Sequence, residues 1–277
     1  MRIALAQTDS TIGEVEANLE MVREQVARAD ERHADLTVFP ELAVHGYWLG
    51  QMLQNRSMSA TDPRLTGLAS GASDVVVGFH EDGGVRRYNS AAYMSRSTAV
   101  HVHRKLYLSN YLVWEERKHA SPGQSLHAFD TDHGRAAMLI CNDAWQPPLG
   151  WLAAQDGAEL IIIPTNSAAN LGPEAVNNVV YWERLLEFMA RMCQSWVVFV
   201  NRVGSEGGGD FWGGSRVIDP FGHIVAQAPM WEPSLTIVDI DVKAARRCRL
   251  EIPLLAEARL GLIQRATQRL IDEGGDV

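Results

Sequence analysis

Cys141 sits in the run Ala137-Met138-Leu139-Ile140-Cys141-Asn142-Asp143-Ala144-Trp145, where an apolar stretch breaks into a polar turn. A thiol there stands at the mouth of a sheet, where a nucleophile can meet substrate. Taken alone it says little, because free cysteine usually behaves as a small buried hydrophobe. Two other apolar runs end in charge: Leu36-Thr37-Val38-Phe39-Pro40 delivers Glu41, and the alternating Val100-His101-Val102-His103-Arg104 delivers Lys105. A single charged strand end commonly marks only the border with water. Strand ends carrying Glu, Lys and Cys together are a different matter, because sites in open α/β sheets gather at strand ends. The set supplies a general base, a cation for an oxyanion and a nucleophile.

The elements that must position these residues read as α/β. Residues 2–7 form a predicted strand, and 14–32 an amphipathic helix with Val15, Leu19, Val22, Val26 and Ala29 on one face. Further strands are predicted at 36–39, 75–78, 89–95, 99–103, 136–140, 160–163, 196–200, 215–218 and 236–240. A second helix at 176–194 carries Val179, Trp182, Leu186 and Met189 along one side. Alternating strands and helices give a layered sheet, and a hairpin across 92–103 makes it mixed. No internal repeat or low-complexity tract is visible. One domain is expected over 1–277, with a C-terminal extension from about 253 that reads as a helix (Leu255, Leu262, Ile263, Leu270) before a loose Gly274-Gly275-Asp276-Val277.

Composition narrows the function classes. A chain of 277 residues with 46% hydrophobic content can bury a substantial core. Its formal charge of −9 argues against a nucleic-acid or anionic-membrane partner. The 3 cysteines lack disulfide-framework spacing and fit a reducing compartment. The first strand starts at Met1–Arg2, which leaves no place for a signal peptide, and no apolar run approaches the ~20 residues of a membrane span. A soluble cytoplasmic protein is the expectation.

On these motifs the chain resembles the nitrilase superfamily of carbon–nitrogen hydrolases. The likeness runs from Met1-Arg2-Ile3-Ala4-Leu5-Ala6-Gln7 to Pro220-Phe221-Gly222 and a closing strand near 235–240. It implies a four-layer α-β-β-α sandwich and a Glu-Lys-Cys triad at Glu41, Lys105 and Cys141, with a second glutamate at Glu116. Residues 105–117, Lys-Leu-Tyr-Leu-Ser-Asn-Tyr-Leu-Val-Trp-Glu-Glu-Arg, are especially similar to glutaminase domains of glutamine-dependent NAD synthetases. The following Ser121-Pro122-Gly123 fixes the register in favour of Glu116 over Glu115. C-terminal extensions in this family pack on a neighbouring subunit, so a homodimer or higher homo-oligomer is expected.

The implied chemistry suits the residue types. Amides resist attack through resonance and a poor amine leaving group. A thiolate at Cys141 is a strong nucleophile, and a nearby Lys105 ammonium is expected to lower the thiol pKa. Lys105 and the backbone N–H of Asn142 would hold the tetrahedral oxyanion. Glu41 would take the thiol proton, give it to the leaving amine and then activate water against the thioester. Glu116 would orient Lys105 or help position substrate. The cycle calls for no metal and no organic cofactor.

Other residues are candidates for the pocket. Tyr47, Trp114, Trp145 and Trp212 each neighbour a motif and are expected either to line it or to join the core. Asn166, after the 160–164 strand, would face the same mouth and position the substrate amide. His101 and His103 share a strand face, but two ligands do not make a metal site. The glycine-rich 204–209 reads as a mobile surface loop, with Glu206 and Asp210 making it a poor phosphate cradle. Cys193 and Cys248 read as packing residues. Acyl specificity is expected in loops such as 62–71 and 171–180.

The small-molecule substrate stays open. The chain stops before any ATP-binding synthetase domain could begin, so the expectation is a stand-alone amidase releasing ammonia and a carboxylic acid. The alternatives are an ammonia-supplying glutaminase and an N-carbamoyl hydrolase. Carbamoyl hydrolases of the family hold a carboxylate with arginines after the following strand, whereas here 165–170 supplies none. Asn142, where nitrilases usually place Trp, argues against nitriles. A non-catalytic scaffold member is a further alternative, opposed by the intact triad.

Overall fold

The computed structural model describes residues 1–52, 54–171 and 177–275. The first half of the chain builds β1 (Arg2–Gln7), β2 (Leu36–Val38), β3 (Asp74–Asp82), β4 (Arg87–Ser95) and β5 (Thr98–Arg104). The second half builds β6 (Phe129–Thr131), β7 (Gly134–Met138), β8 (Leu160–Thr165) and β9 (Trp196–Asn201). A small hairpin of β10 (Val203–Glu206) and β11 (Gly209–Trp212) follows, then β12 (Arg216–Ile218) and β13 (Ile224–Gln227). Last, β14 (Ser234–Asp239) returns to the free edge of β1.

These strands form two six-stranded sheets, β14-β1-β2-β3-β4-β5 and β13-β12-β9-β8-β7-β6. Each is mixed in the same way. Three parallel strands, β1-β2-β3 or β7-β8-β9, are flanked by one antiparallel strand on one side and two on the other. The plan is therefore used twice, although no repeat is evident in the sequence. What recurs is slight: Leu36 and Leu160 open the middle strands β2 and β8, and Pro40 and Pro164 stand four residues later in each.

Helices cover the outer faces. Helix α1 (Val15–Glu31) sets Val15, Leu19, Val22 and Val26 against Val75, Val77 and Phe79 of the first sheet. A fully buried Leu or Val of this kind stabilises by roughly 1.5–3 kcal/mol. The short α2 (Pro63–Thr66) starts with proline at its first turn and an Asp62 cap that accepts from the Arg64 N–H. Its Leu65, with Leu68 and Ala69, joins the α1 layer. Residues 62–71 therefore belong to the outer layer and line no part of the cavity beside Cys141, contrary to the sequence expectation. Helices α3 (Pro147–Gln155) and α4 (Asn178–Cys193) cover the second sheet through Leu149, Ala153, Trp182, Leu186 and Met189. The same apolar cluster takes in Ile3, Leu5, Val38 and Val76 of the first sheet together with Ala137, Ile162 and Val198 of the second. The result is a four-layer α-β-β-α sandwich.

Both sheets are thus covered on two sides, which is why their parallel strands read as continuous apolar runs. Sequence patterning located most of these elements, but β6, β13, the β10–β11 hairpin and α3 carried too little periodicity. Beyond α5 (Ala244–Glu251), the chain ends in α6 (Leu260–Asp272), none of whose side chains is buried. Val176, the expected start of the second helix, and the final Asp276 and Val277 lie outside the described residues. Among the described residues no helix is long and apolar enough to cross a membrane.

Candidate active site

Each motif residue is delivered by a short departure from a strand. Pro40 ends β2, and Leu42 takes a left-handed φ of 49° that turns the chain just after Glu41. This loop lies directly on β3 at Gly78, where a Cβ would strike the Leu42 N–H and the Pro40 carbonyl. Only glycine lets the carboxylate settle that close to the sheet. Lys105 prolongs β5: its N–H donates to the Asn89 carbonyl at 2.8 Å, and its carbonyl accepts from Gly123 N–H at 2.8 Å. Cys141 opens a 3₁₀ turn, Cys141–Trp145, with φ of 46°. A left-handed conformation is uncommon for a residue with a side chain and concentrates at functional sites.

Asp143 holds that turn. Its carboxylate accepts from the Leu106 and Tyr107 N–H groups at 2.9 and 2.8 Å, from Ile140 N–H at 3.1 Å and from His103 Nε2 at 2.9 Å. Asn142 Nδ2 adds a bond to the Tyr107 carbonyl at 3.0 Å. The Cys141 turn of the second sheet is in this way tied to the residues that follow Lys105 on the first. His103 is therefore a support for Asp143, and His101 stacks on Phe129 with ring centroids 4.3 Å apart. Among the described residues no cluster of three or more His, Cys, Asp or Glu could hold a metal.

One buried cation sits between two carboxylates. Lys105 Nζ donates to Glu41 Oε1 at 2.7 Å and to Glu116 Oε2 at 2.8 Å. Asn89 Nδ2 bridges the same pair, at 2.7 Å to Glu41 and 2.6 Å to Glu116. Ser109 N–H donates to Glu116 at 2.7 Å, and Asn166 N–H to Glu41 at 3.0 Å. Lysine has three donors, and these bonds use two of them. Removing one member of such a buried set leaves an uncompensated charge, at a cost of about 3–5 kcal/mol.

Burial governs the protonation of the site. Desolvation opposes the Lys105 charge, but Glu116 and Glu41 outweigh it and hold the ammonium well above its ordinary range. Burial raises Glu41, with Lys105 opposing and Glu116 reinforcing the shift. The thiol of Cys141 is also pushed well up, by burial first and then by Glu41, and Lys105 only partly offsets them. This corrects the expectation that Lys105 would leave the thiol acidified. Burial and Glu41 therefore favour the neutral thiol at Cys141.

A cavity of about 310 Å³ opens beside Cys141. Asn142, Trp145, Asn166, Tyr47 and Trp114, all singled out from sequence, line it together with Cys141. So do Ser109, Tyr111, Trp182 and Leu171, which sequence reasoning did not bring to the pocket individually. Asn166 Nδ2 is fixed on the Glu41 carbonyl at 2.8 Å, which leaves Asn166 Oδ1 buried without a protein partner among the described residues. Glu116 faces a separate space of about 260 Å³ behind the Tyr47 and Trp114 rings. Trp212 does not reach the cavity; it is buried, with its Nε1 donating to Ser167 Oγ at 3.1 Å. The 204–209 segment is likewise no free loop. Glu206 is buried and accepts from the Tyr47 and Trp48 N–H groups at 2.8 and 2.6 Å, so the β10–β11 hairpin braces the pocket wall. Asn89 and Asp143 were missed; only the position of Asp143, two residues after Cys141, offered a signal.

The carbon–nitrogen hydrolase family model matches residues 2–250. The chain belongs to that family. The hydrolase is 31% identical over 265 residues to a glutamine-dependent NAD(+) synthetase of Thermotoga maritima, covering 91% of this chain and 44% of that protein. It spans about half the length of the NAD synthetases it matches. To an (R)-stereoselective amidase from Pseudomonas sp it is 29% identical, over 97% of this chain and 95% of the relative. A solved amidase from Nesterenkonia sp. AN1 in complex with acrylamide superposes with a TM-score of 0.81 at 25% identity, covering 96% of each chain. Another structure of that amidase shows Michael addition of acrylamide at its active-site cysteine. The hydrolase is thus an enzyme of the class that cleaves carbon–nitrogen bonds other than peptide bonds.

Proposed function

We propose that the hydrolase cleaves a small amide through a thioester on Cys141, releasing ammonia and a carboxylic acid. The observation that carries the reading is the buried Glu41–Lys105–Glu116 network set next to a left-handed cysteine at the floor of a cavity. Glu41 takes the Sγ proton as sulfur attacks the carbonyl carbon. The oxyanion that forms is held by the remaining donor of Lys105 and the backbone N–H of Asn142. Asn166, which lines the cavity beside Cys141, positions the substrate amide. Glu41 then protonates the nitrogen, the C–N bond breaks, and ammonia leaves. Water attacks the thioester carbon as Glu41 takes one of its protons; the C–S bond then breaks, Glu41 returns that proton to sulfur, and the carboxylic acid leaves with the thiol restored. Glu116 and Asn89 fix Lys105 throughout.

The test is ammonia release from a panel of primary amides, with acyl-enzyme detection by intact mass spectrometry and Cys141→Ala in parallel. Turnover that persists in Cys141→Ala overturns the reading. A second reading, hydrolysis of glutamine to supply ammonia, is favoured by the likeness to NAD synthetases and predicts glutamine as the best substrate. The fully solvated α6, with Leu260, Ile263 and Leu270 each about half exposed, supports pairing with another copy through the C-terminal segment. Light scattering on the chain shortened at about residue 253 tests that pairing.

A further inference from the structure

The cavity above Cys141 has a distinctive lining. Its walls carry the rings of Tyr47, Tyr111, Trp114, Trp145 and Trp182. Among the described residues its hydrogen-bonding side chains, including Ser109, Asn142, Asn166, Ser167 and Asn178, are neutral. Glu41, Lys105 and Glu116 are bonded to one another and lie outside the lining. The rings are also held in place. Trp145 stacks on Tyr181 at 4.1 Å and meets Trp182 edge-on at 5.8 Å, while Tyr47 and Trp114 meet edge-on at 5.2 Å.

Fixed aromatic walls favour flat apolar groups, which need not order them on binding. An ammonium or carboxylate entering the same space gives up water and meets no opposite charge among the described lining residues. Glutamine brings both groups, and a carbamoyl amino acid brings a carboxylate. From this lining we propose that the substrate is a neutral primary amide whose acyl group is aromatic or comparably apolar, of the arylacetamide kind. The proposal rests on the amidase reading for its chemistry, but its binding preference is separable from that chemistry. Tyr111 and Trp145 are the specificity-determining residues it names: one on the half-exposed rim, the other on the turn that carries the nucleophile.

Calorimetry on the Cys141→Ala protein reads binding without turnover, using phenylacetamide, acetamide and glutamine as probes. Phenylacetamide is expected to bind at least about tenfold more tightly than either of the others. Trp145→Ala in that background is expected to weaken phenylacetamide about two- to tenfold and leave acetamide nearly unchanged. Tyr111→Ala repeats the test at a half-exposed position that the fold tolerates. In the active protein, kcat/KM is expected to favour phenylacetamide over glutamine by about 10²-fold. Tighter binding or faster turnover of glutamine overturns this proposal while the amidase chemistry survives. The expected binding order with no turnover of any amide overturns the chemistry and supports the binding preference.

Discussion

The two sheets share one strand plan, yet their middle strands deliver opposite kinds of residue. One residue past Pro40 the chain presents Glu41; at the matching place past Pro164, β8 ends on Thr165, followed by Asn166. The first sheet also contributes Lys105, so the charged chemistry comes from one half. The second sheet contributes Cys141 and Asn166, both in the lining of the cavity. The halves meet through hydrogen bonds from Asn166 to Glu41 and from the residues after Lys105 to Asp143. A strand plan used twice thus sets the Glu41–Lys105 half, which the proposed chemistry uses to handle protons, against the Cys141 half. The division makes physical sense, because a thiol needs a base beside it but gains nothing from a second charge of its own.

Breaking either half should be decisive. Cys141→Ala on the second sheet and Glu41→Gln on the first are each expected to lower kcat about 10⁴-fold or more, and the double variant no further, because the two act as one unit. Steady-state ammonia release checks this; additive losses would show two independent contributions. The latch between halves comes next. Asp143→Ala orphans the N–H groups of Leu106, Tyr107 and Ile140 and is expected to cost about 3 kcal/mol in urea unfolding, with activity lost alongside.

Asn166→Ala should be milder and more selective. It removes a cavity-lining side chain and its bond to the Glu41 carbonyl, and a fall in kcat of about 10²-fold with an intact fold is expected. A loss in KM alone would assign Asn166 to substrate binding rather than to the reacting state.

A comparable effect on stability, spread over pH, belongs to the first half. His45 follows the Glu41 loop; its Nδ1 accepts from His80 N–H at 3.0 Å, and its Nε2 meets the Arg56 carbonyl at 2.9 Å. Burial, the largest cause, lowers its pKa to about 4. The unfolded chain therefore binds a proton that the folded one excludes between about pH 6.5 and about pH 4. Stability is full above the unfolded value and falls as the pH drops through that window, by about 1.4 kcal/mol per pH unit. Denaturant midpoints across that range, compared with His45→Gln, should show a shallower decline in the variant.

Legibility in the sequence followed the range of the interactions. The strands leading to Glu41 and Cys141 could be read because burial on both faces leaves unbroken apolar runs, and the edge strand leading to Lys105 by its alternation. The resemblance to the carbon–nitrogen hydrolases could be read from motifs a few residues long. Asn89 could not: nothing near it marks a residue that bridges two carboxylates. Residues 62–71 were misplaced because a polar-looking segment can still bury Leu65, Leu68 and Ala69 under a helix layer. The glycine-rich 204–209 misled for a similar reason, since Glu206 is polar in sequence but buried by its bonds to the Tyr47 turn.

The sequence by itself determined the strand and helix pattern, the order of the motifs and the chemical types available to the site. Those features depend on neighbours along the chain and on periodic burial. The tertiary structure alone decided which groups meet. Glu41 finds Asn89, Lys105 and Asn166 across separations of 48, 64 and 125 residues. It also decided the direction in which the Cys141 pKa moves, because the desolvation that pushes it up comes from layers the local sequence does not contain.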